Sequence, residues 1–268
     1  MDDLRQTLSR EGIDTTHMEL LVEMPDLTIP ALPISRTESF ALWRQLRGLV
    51  SRTGCWPVLF SETDGEERDR LVEDSFEDVT GRDWVESAIE RSRTVDVNGW
   101  LATKLRMRDR EYGGLPRGEW PAGALRSRPT AEFPPRAATP ESDEFWACSG
   151  IRSVRRTPHV LVALVPVLDS WQVAASMAFG GWNANPFAFE HAAVHRYWFE
   201  RFGAEVVALN TSTVELWVAR PPMDRDSAIE VALEQFAYCD DIVGQGYHTI
   251  EGLAAILIGS HVWSFWWD

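Results

Sequence analysis

Lysine is almost absent: of 26 basic residues, only Lys104 is a lysine. The rest are arginines, which reads as the codon bias of a GC-rich bacterial genome and also favours planar, bidentate ion pairs. Cysteine is equally scarce. Cys55, Cys148 and Cys239 are far apart and odd in number, which excludes a disulfide framework or a CxxC metal site and points to reduced thiols in a cytosol. No apolar run approaches the ~18–20 residues of a membrane helix. The opening Met1-Asp2-Asp3-Leu4-Arg5 has neither a basic n-region nor an apolar h-region, so it is not a secretory signal. No GxSxG elbow or Rossmann fingerprint occurs, and Gly180-Gly181 lacks the strand-to-helix context and the lysine of a phosphate loop. A cytoplasmic protein without a membrane partner is expected.

Acidic residues and tryptophan are plentiful. The net charge of −15 is unevenly spread. Residues 1–103 carry 11 basic and 21 acidic side chains, residues 104–156 carry 11 and 7, and residues 157–268 carry 4 and 13. Both ends would repel a phosphate backbone, so nucleic acid is not the expected partner and a basic protein suits the charge better. The 44% apolar content and 13 Trp support a sizeable core.

The patterning divides the chain into a mixed α/β N-terminal region (1–111), a Pro/Arg-rich irregular linker (112–156) and a C-terminal α+β domain (157–268). In the first region, Thr37 caps a helix over 38–51, Trp56-Pro57-Val58-Leu59-Phe60 reads as a buried strand, and a capping box at Thr80 to Asp83 opens a helix over 82–93. The linker holds six prolines and no period, but its aromatic residues suggest a partly ordered strap.

In the last region, the apolar run Val160 to Val167 reads as a central strand. Asp169 caps a helix to Phe179, and a second helix covers 187–201 and ends at Gly203. A hairpin of 205–209 and 214–219 turns at Asn210 to Thr213. Asp224 or Asp226 caps a helix to Tyr238, Thr249 opens one to Ile258, and 262–267 forms a final strand. This order matches a ferredoxin-like split βαβ sheet with an extra helix in each crossover; the fold class is α+β.

Several blocks carry a resemblance. They are Phe179-Gly-Gly-Trp182-Asn183, Arg196-Tyr-Trp198-Phe-Glu-Arg-Phe-Gly203-Ala-Glu205, Ala219-Arg-Pro-Pro222, Tyr238-Cys239-Asp240-Asp241-Ile242-Val243 with Gln245-Gly246, and Phe265-Trp-Trp-Asp268. In this order they resemble the bacterial domain-of-unknown-function family 4253, over about 158–268. At Asp240 the chain departs from the family pattern, which has proline there. The resemblance implies no activity.

The candidate functional residues are Trp182, Asn183, His191, His195, Cys239, Asp240, Asp241, Trp266 and Trp267. His191 and His195 stand at i and i+4 on one helix face, as in HExxH, but without its Glu. A third metal ligand would have to come from Cys239, Asp240, Asp241 or His248. The alternative is that His191 packs beside Val194 and Trp198 while His195 is partly exposed. A nucleophilic Cys239 is disfavoured, because neighbouring carboxylates oppose its thiolate. No cofactor and no metal are expected. The sequence favours a non-catalytic interaction module, an immunity-type neutraliser or regulatory adaptor, over a metal-dependent hydrolase built on His191, His195 and Cys239 to Asp241.

Overall fold

The computed structural model describes residues 2–24, 26–61, 81–121 and 159–268. Thr80, Cys148 and the expected linker beyond residue 121 lie outside the described residues. The strands are β1 (Glu19–Glu23), β2 (Thr28–Ser35), β3 (Trp56–Ser61), β4 (His159–Val165), β5 (Ala204–Leu209), β6 (Thr213–Val218) and β7 (Val262–Trp266). The main helices are α1 (Asp2–Arg10), α2 (Arg36–Arg47), α3 (Arg82–Arg93), α4 (Val97–Glu111), α5 (Ala188–Phe202), α6 (Arg225–Tyr238) and α7 (Ile250–Leu257).

All seven strands join one mixed sheet in the order β1-β2-β4-β3-β5-β6-β7. β4 is an interior strand between β2 and β3, as its unbroken apolar run requires, and its residues 160–165 are buried. The expected hairpin is present, with β5 antiparallel to β6.

The ferredoxin-like arrangement is not found. A split βαβ unit needs its first two strands parallel. Here β3 runs antiparallel to β4 and parallel to β5, which makes β4 and β5 antiparallel to each other. The strand that fills the gap comes from the N-terminal region, and β7 pairs with β6 instead of returning beside β4. Element order alone does not reveal an intruding strand. β2 escapes sequence reading for a related reason: Pro30 and Pro33 lie inside it, and proline usually signals the end of a ladder.

Side-chain alternation divides the sheet into two faces. Val214, Leu216, Trp263 and Phe265 lie under α5, where buried Trp198 stacks on Phe265 at 5.5 Å or less and meets Trp263 edge-on, with centroids 5.4 and 5.5 Å apart. Glu205 points to the other face and takes a bidentate ion pair from Arg47 of α2 at 2.5 and 2.6 Å. On that face, buried Trp43 donates its indole N–H to the Pro57 carbonyl.

Helix α6 begins at Asp224, whose side chain accepts from the Ser227 N–H, and α7 begins at Thr249, which accepts from the Gly252 N–H. Between them lies a π-helical turn, Ile242–Tyr247. Residues 115–121 form no helix or strand and dock on α7. The Pro116 carbonyl accepts from the Ile250 N–H, buried Glu251 accepts from Arg117 and the Gly118 N–H, and Arg225 lies over Trp120 at 4.8 Å. Among the described residues, no helix is long and apolar enough to cross a membrane.

Candidate functional site

Helix α5 needs a C-terminal stop and a fixed entry. Gly203 supplies the stop in a left-handed conformation, φ 62°. At the entry, Glu190 accepts from the Phe187 N–H and from the Trp100 indole. The preceding loop is strained: Ala178 and Asn183 have φ of 48° and 47°, a conformation that side chains other than glycine rarely adopt. Gly180 is required by close approach, since a Cβ there would lie 2.1 Å from the Pro186 carbonyl and 2.7 Å from the His191 ring.

This entry places His191 and His195 against Tyr238, the last residue of α6. His191 Nδ1 lies 2.6 Å from the Tyr238 hydroxyl, and His195 Nε2 lies 2.9 Å from it. His191 Nε2 lies 2.8 Å from Asn185 Oδ1. The carbonyl oxygen of Asn185 can only accept, so His191 carries its proton on Nε2. His191 Nδ1 then accepts from the Tyr238 O–H, and the tyrosine oxygen accepts from the His195 Nε2–H. One consistent proton order thus runs from His195 through Tyr238 and His191 to Asn185.

All four residues are buried. Burial, and for His191 the neighbouring His195, drives both histidines down in pKa, His195 to about 3 and His191 well below its ordinary value. The same burial, with Cys239 adjacent, raises Tyr238 well above the ordinary range. A proton added to His195 Nδ1 would be a buried N–H facing no acceptor, and one added to His191 Nδ1 would orphan the tyrosine hydrogen. The network is therefore neutral by construction.

Three of the four ring nitrogens are engaged in these bonds, and the ring centroids are 5.8 Å apart. In this arrangement the histidine pair does not form the i, i+4 chelate. Among the described residues, no three His, Cys, Asp or Glu side chains gather to hold a metal ion. His191 is buried with its ring against Phe179, Tyr238 and Trp267 and with both ring nitrogens hydrogen-bonded. His195 is corrected, being 1% exposed instead of partly open. Its place on α5 turns it toward Tyr238, a contact between helices that spacing within one helix does not reveal.

The other candidates divide into a buried layer and a surface layer. Trp267 is buried, edge-on to His191 and Tyr238. Cys239 is buried, its thiol donates to the Trp266 carbonyl, and burial raises its pKa far from thiolate formation. Asp240 is nearly buried and pairs with Arg108 of α4 at 2.7 Å, while Tyr112 donates to its other oxygen. Burial raises the Asp240 carboxyl, with Arg108 opposing.

At the surface lie Trp182, Asn183, Asp241 and Trp266, exposed or half-buried. Asn183 donates its amide to the Asp268 carbonyl, and the Asp268 N–H donates to Asp241. The Trp266 ring covers Gly246 of the π-helical turn, and Tyr112 reaches Gly244 of the same turn. Asn185, Tyr238, Arg108, Tyr112 and Asp268 escaped the reading of candidate residues. Tyr238 had a signal, because it opens the Tyr238-Cys239-Asp240-Asp241 block.

Residues 161–268, the C-terminal part of the chain, match the family model of a domain of unknown function (DUF4253). No curated protein and no solved structure matches the chain.

Two outcomes follow from the buried network. Tyr238→Phe removes the hydroxyl that serves both histidines and leaves a buried donor and a buried acceptor unpaired. Its expected cost is on the order of 2–4 kcal/mol in urea unfolding, and a loss below about 0.5 kcal/mol would contradict the network. The pH dependence has a definite sign. Above the ordinary histidine value of 6.5 both folded and unfolded states are neutral, so the pair contributes no slope. Below it the unfolded chain takes up protons that the folded protein refuses, so stability falls with acidification by up to about 1.4 kcal/mol per pH unit for each histidine. Asp240, with its raised carboxyl, acts in the opposite sense at lower pH. Unfolding measured from about pH 6.5 to about pH 5 is expected to show proton uptake approaching two. A flat profile would contradict the assignment.

Proposed function

We propose that the chain is a non-catalytic protein-interaction module that binds a basic partner in the cytoplasm, as an immunity-type neutraliser or regulatory adaptor does. The observation that carries this reading is the surface formed by Trp182, Asn183, Asp241 and Trp266 over a neutral, hydrogen-bonded interior. Tryptophan is among the residue types enriched at interaction hot spots. The loop that carries Trp182 and Asn183 and the π-helical turn that follows Asp241 are held in uncommon backbone conformations, and such conformations collect at functional sites. The overall charge of −15 would speed encounter with a cationic surface and repel nucleic acid.

The hydrolase alternative would need His191, His195 and Cys239 to reach a substrate. They are buried, and burial sets each of them against carrying charge. Such groups serve packing better than proton transfer near neutral pH.

Titration with a mixed Arg/Lys peptide of about ten residues, followed by tryptophan fluorescence, tests the reading. Binding is expected to weaken with added salt, and a double variant Asp241→Asn/Asp268→Asn is expected to lose about threefold to tenfold in affinity. Binding indifferent to both changes would overturn it.

A further inference from the structure

Residues 115–121 cross the start of α7 as a bound peptide would. The segment forms no helix or strand, its residues 117–119 are exposed, and Ile250 and Glu251 beneath it are buried. Three successive residues each make a different contact. The Pro116 carbonyl accepts from the Ile250 N–H, one of the first-turn donors that a helix cannot satisfy itself. Arg117 sets Nε and Nη2 on Glu251 Oε1, each at 2.6 Å. The Gly118 N–H donates to Glu251 Oε2 at 2.8 Å. Position 118 also has no room for a side chain, since a Cβ there would stand 2.6 Å from Thr249 Cγ2. Two residues on, half-buried Trp120 lies under the Arg225 guanidinium, 4.8 Å from the ring centroid. The start of α7, with Arg225 of α6, therefore reads the pattern Pro-Arg-Gly-x-Trp.

Receptor and occupant belong to different parts of the chain. Arg225, Thr249, Ile250 and Glu251 lie inside the family-matched residues 161–268, and the segment lies outside them. The receptor side is the one that needs filling. The Glu251 side chain is 5% exposed and that of Arg117 50%. Lifting the segment away leaves a carboxylate set in the surface with neither its cation nor its N–H donor. That state is unfavourable, and a ligand of the same chemistry relieves it. A guanidinium fits because it delivers two N–H groups from one rigid plane, whereas an ammonium is a compact and strongly hydrated point charge. Proline ahead of the arginine restricts the backbone before it binds, which lowers the ordering cost.

We infer that the start of α7 is a peptide-recognition groove, that residues 115–121 are its tethered occupant, and that a Pro-Arg-Gly segment of the partner takes their place. This rests on the interaction reading above and narrows its basic partner to one that presents an arginine followed by glycine. Tethering gives the internal segment an effective concentration on the order of millimolar, so it holds the groove until a competitor arrives.

The probe is a peptide with the sequence of residues 112–121, blocked at both ends. Its arginine and its glutamate cancel, so its binding reports the groove and not the net charge of the chain. Calorimetric titration compares full-length wild type with two variants, and melting curves show that each remains folded. In Gly118→Ala the new Cβ meets Thr249 and lifts the internal segment, with Glu251 untouched. In Arg117→Ala the segment loses its ion pair. Both variants are expected to bind the peptide at least about tenfold more tightly than wild type does. A peptide carrying Arg117→Lys should bind them at least about tenfold more weakly, and adding Glu251→Gln to Arg117→Ala should weaken the original peptide as much. Equal binding by wild type and variants, or equal binding of the arginine and lysine peptides, would overturn the groove. A wild-type dimer that the peptide splits would make the occupant a second copy's segment and overturn the exchange with a partner. If the peptide binds no form of the chain, the groove falls, and the basic-partner reading is still decided by its own titration at Asp241 and Asp268.

Discussion

The Tyr238 hydroxyl accepts from His195 and donates to His191, and that two-way bond ties the end of α6 to the middle of α5. Each of the three groups is buried, and each satisfies the others only in the neutral state. Around them stand Phe179, Trp198, Phe265 and Trp267, all buried and in edge-on or tilted contact with His191 or Tyr238. In so apolar a shell an unmet hydrogen bond is expensive, so the rotamers of both histidines and of the tyrosine are specified together. The strained loop at 178–185 follows from the same constraint, because Asn185 must reach His191 Nε2 and Gly180 must clear both the ring and the Pro186 carbonyl.

The surface inherits its order from this interior. Cys239 and Trp267 directly follow or flank the buried network, and the residues next to them, Asp241 and Trp266, emerge at the surface. The Cys239 thiol on the Trp266 carbonyl joins the end of α6 to the end of β7. Arg108 adds a third element by carrying its charge from α4 to Asp240. Side chains from three parts of the chain are thereby held beside one π-helical turn. A surface made this way is already ordered, and under the proposed function it would spend less of its interaction free energy on ordering.

Much of the C-terminal part was legible in the sequence. The apolar run at 160–165, the Asp224 and Thr249 caps, Gly203 and the hairpin turn each express a local rule, and the chain follows them. The sheet order was not legible, because β3 enters between β4 and β5 from a hundred residues upstream, and no local pattern encodes that neighbour. Helix α4 was missed although Asp96 caps it by accepting from the Gly99 N–H; Gly99 and the weak segregation of its apolar residues hide it. At the site, the candidate residues do lie in one region, but i, i+4 spacing suggested a metal chelate where the structure has a tyrosine. Spacing along one helix reports which side chains share a face. It is silent on the group that faces them from another helix.

The account depends on two buried histidines that stay neutral and share one tyrosine. Long-range imidazole proton–nitrogen NMR spectra of the intact chain, recorded from about pH 7 to about pH 5, report each ring's charge and tautomer directly. The account predicts that His191 and His195 both remain neutral with the proton on Nε2 throughout that range. A charged ring at about pH 5, or an Nδ1–H tautomer at either residue, would contradict it.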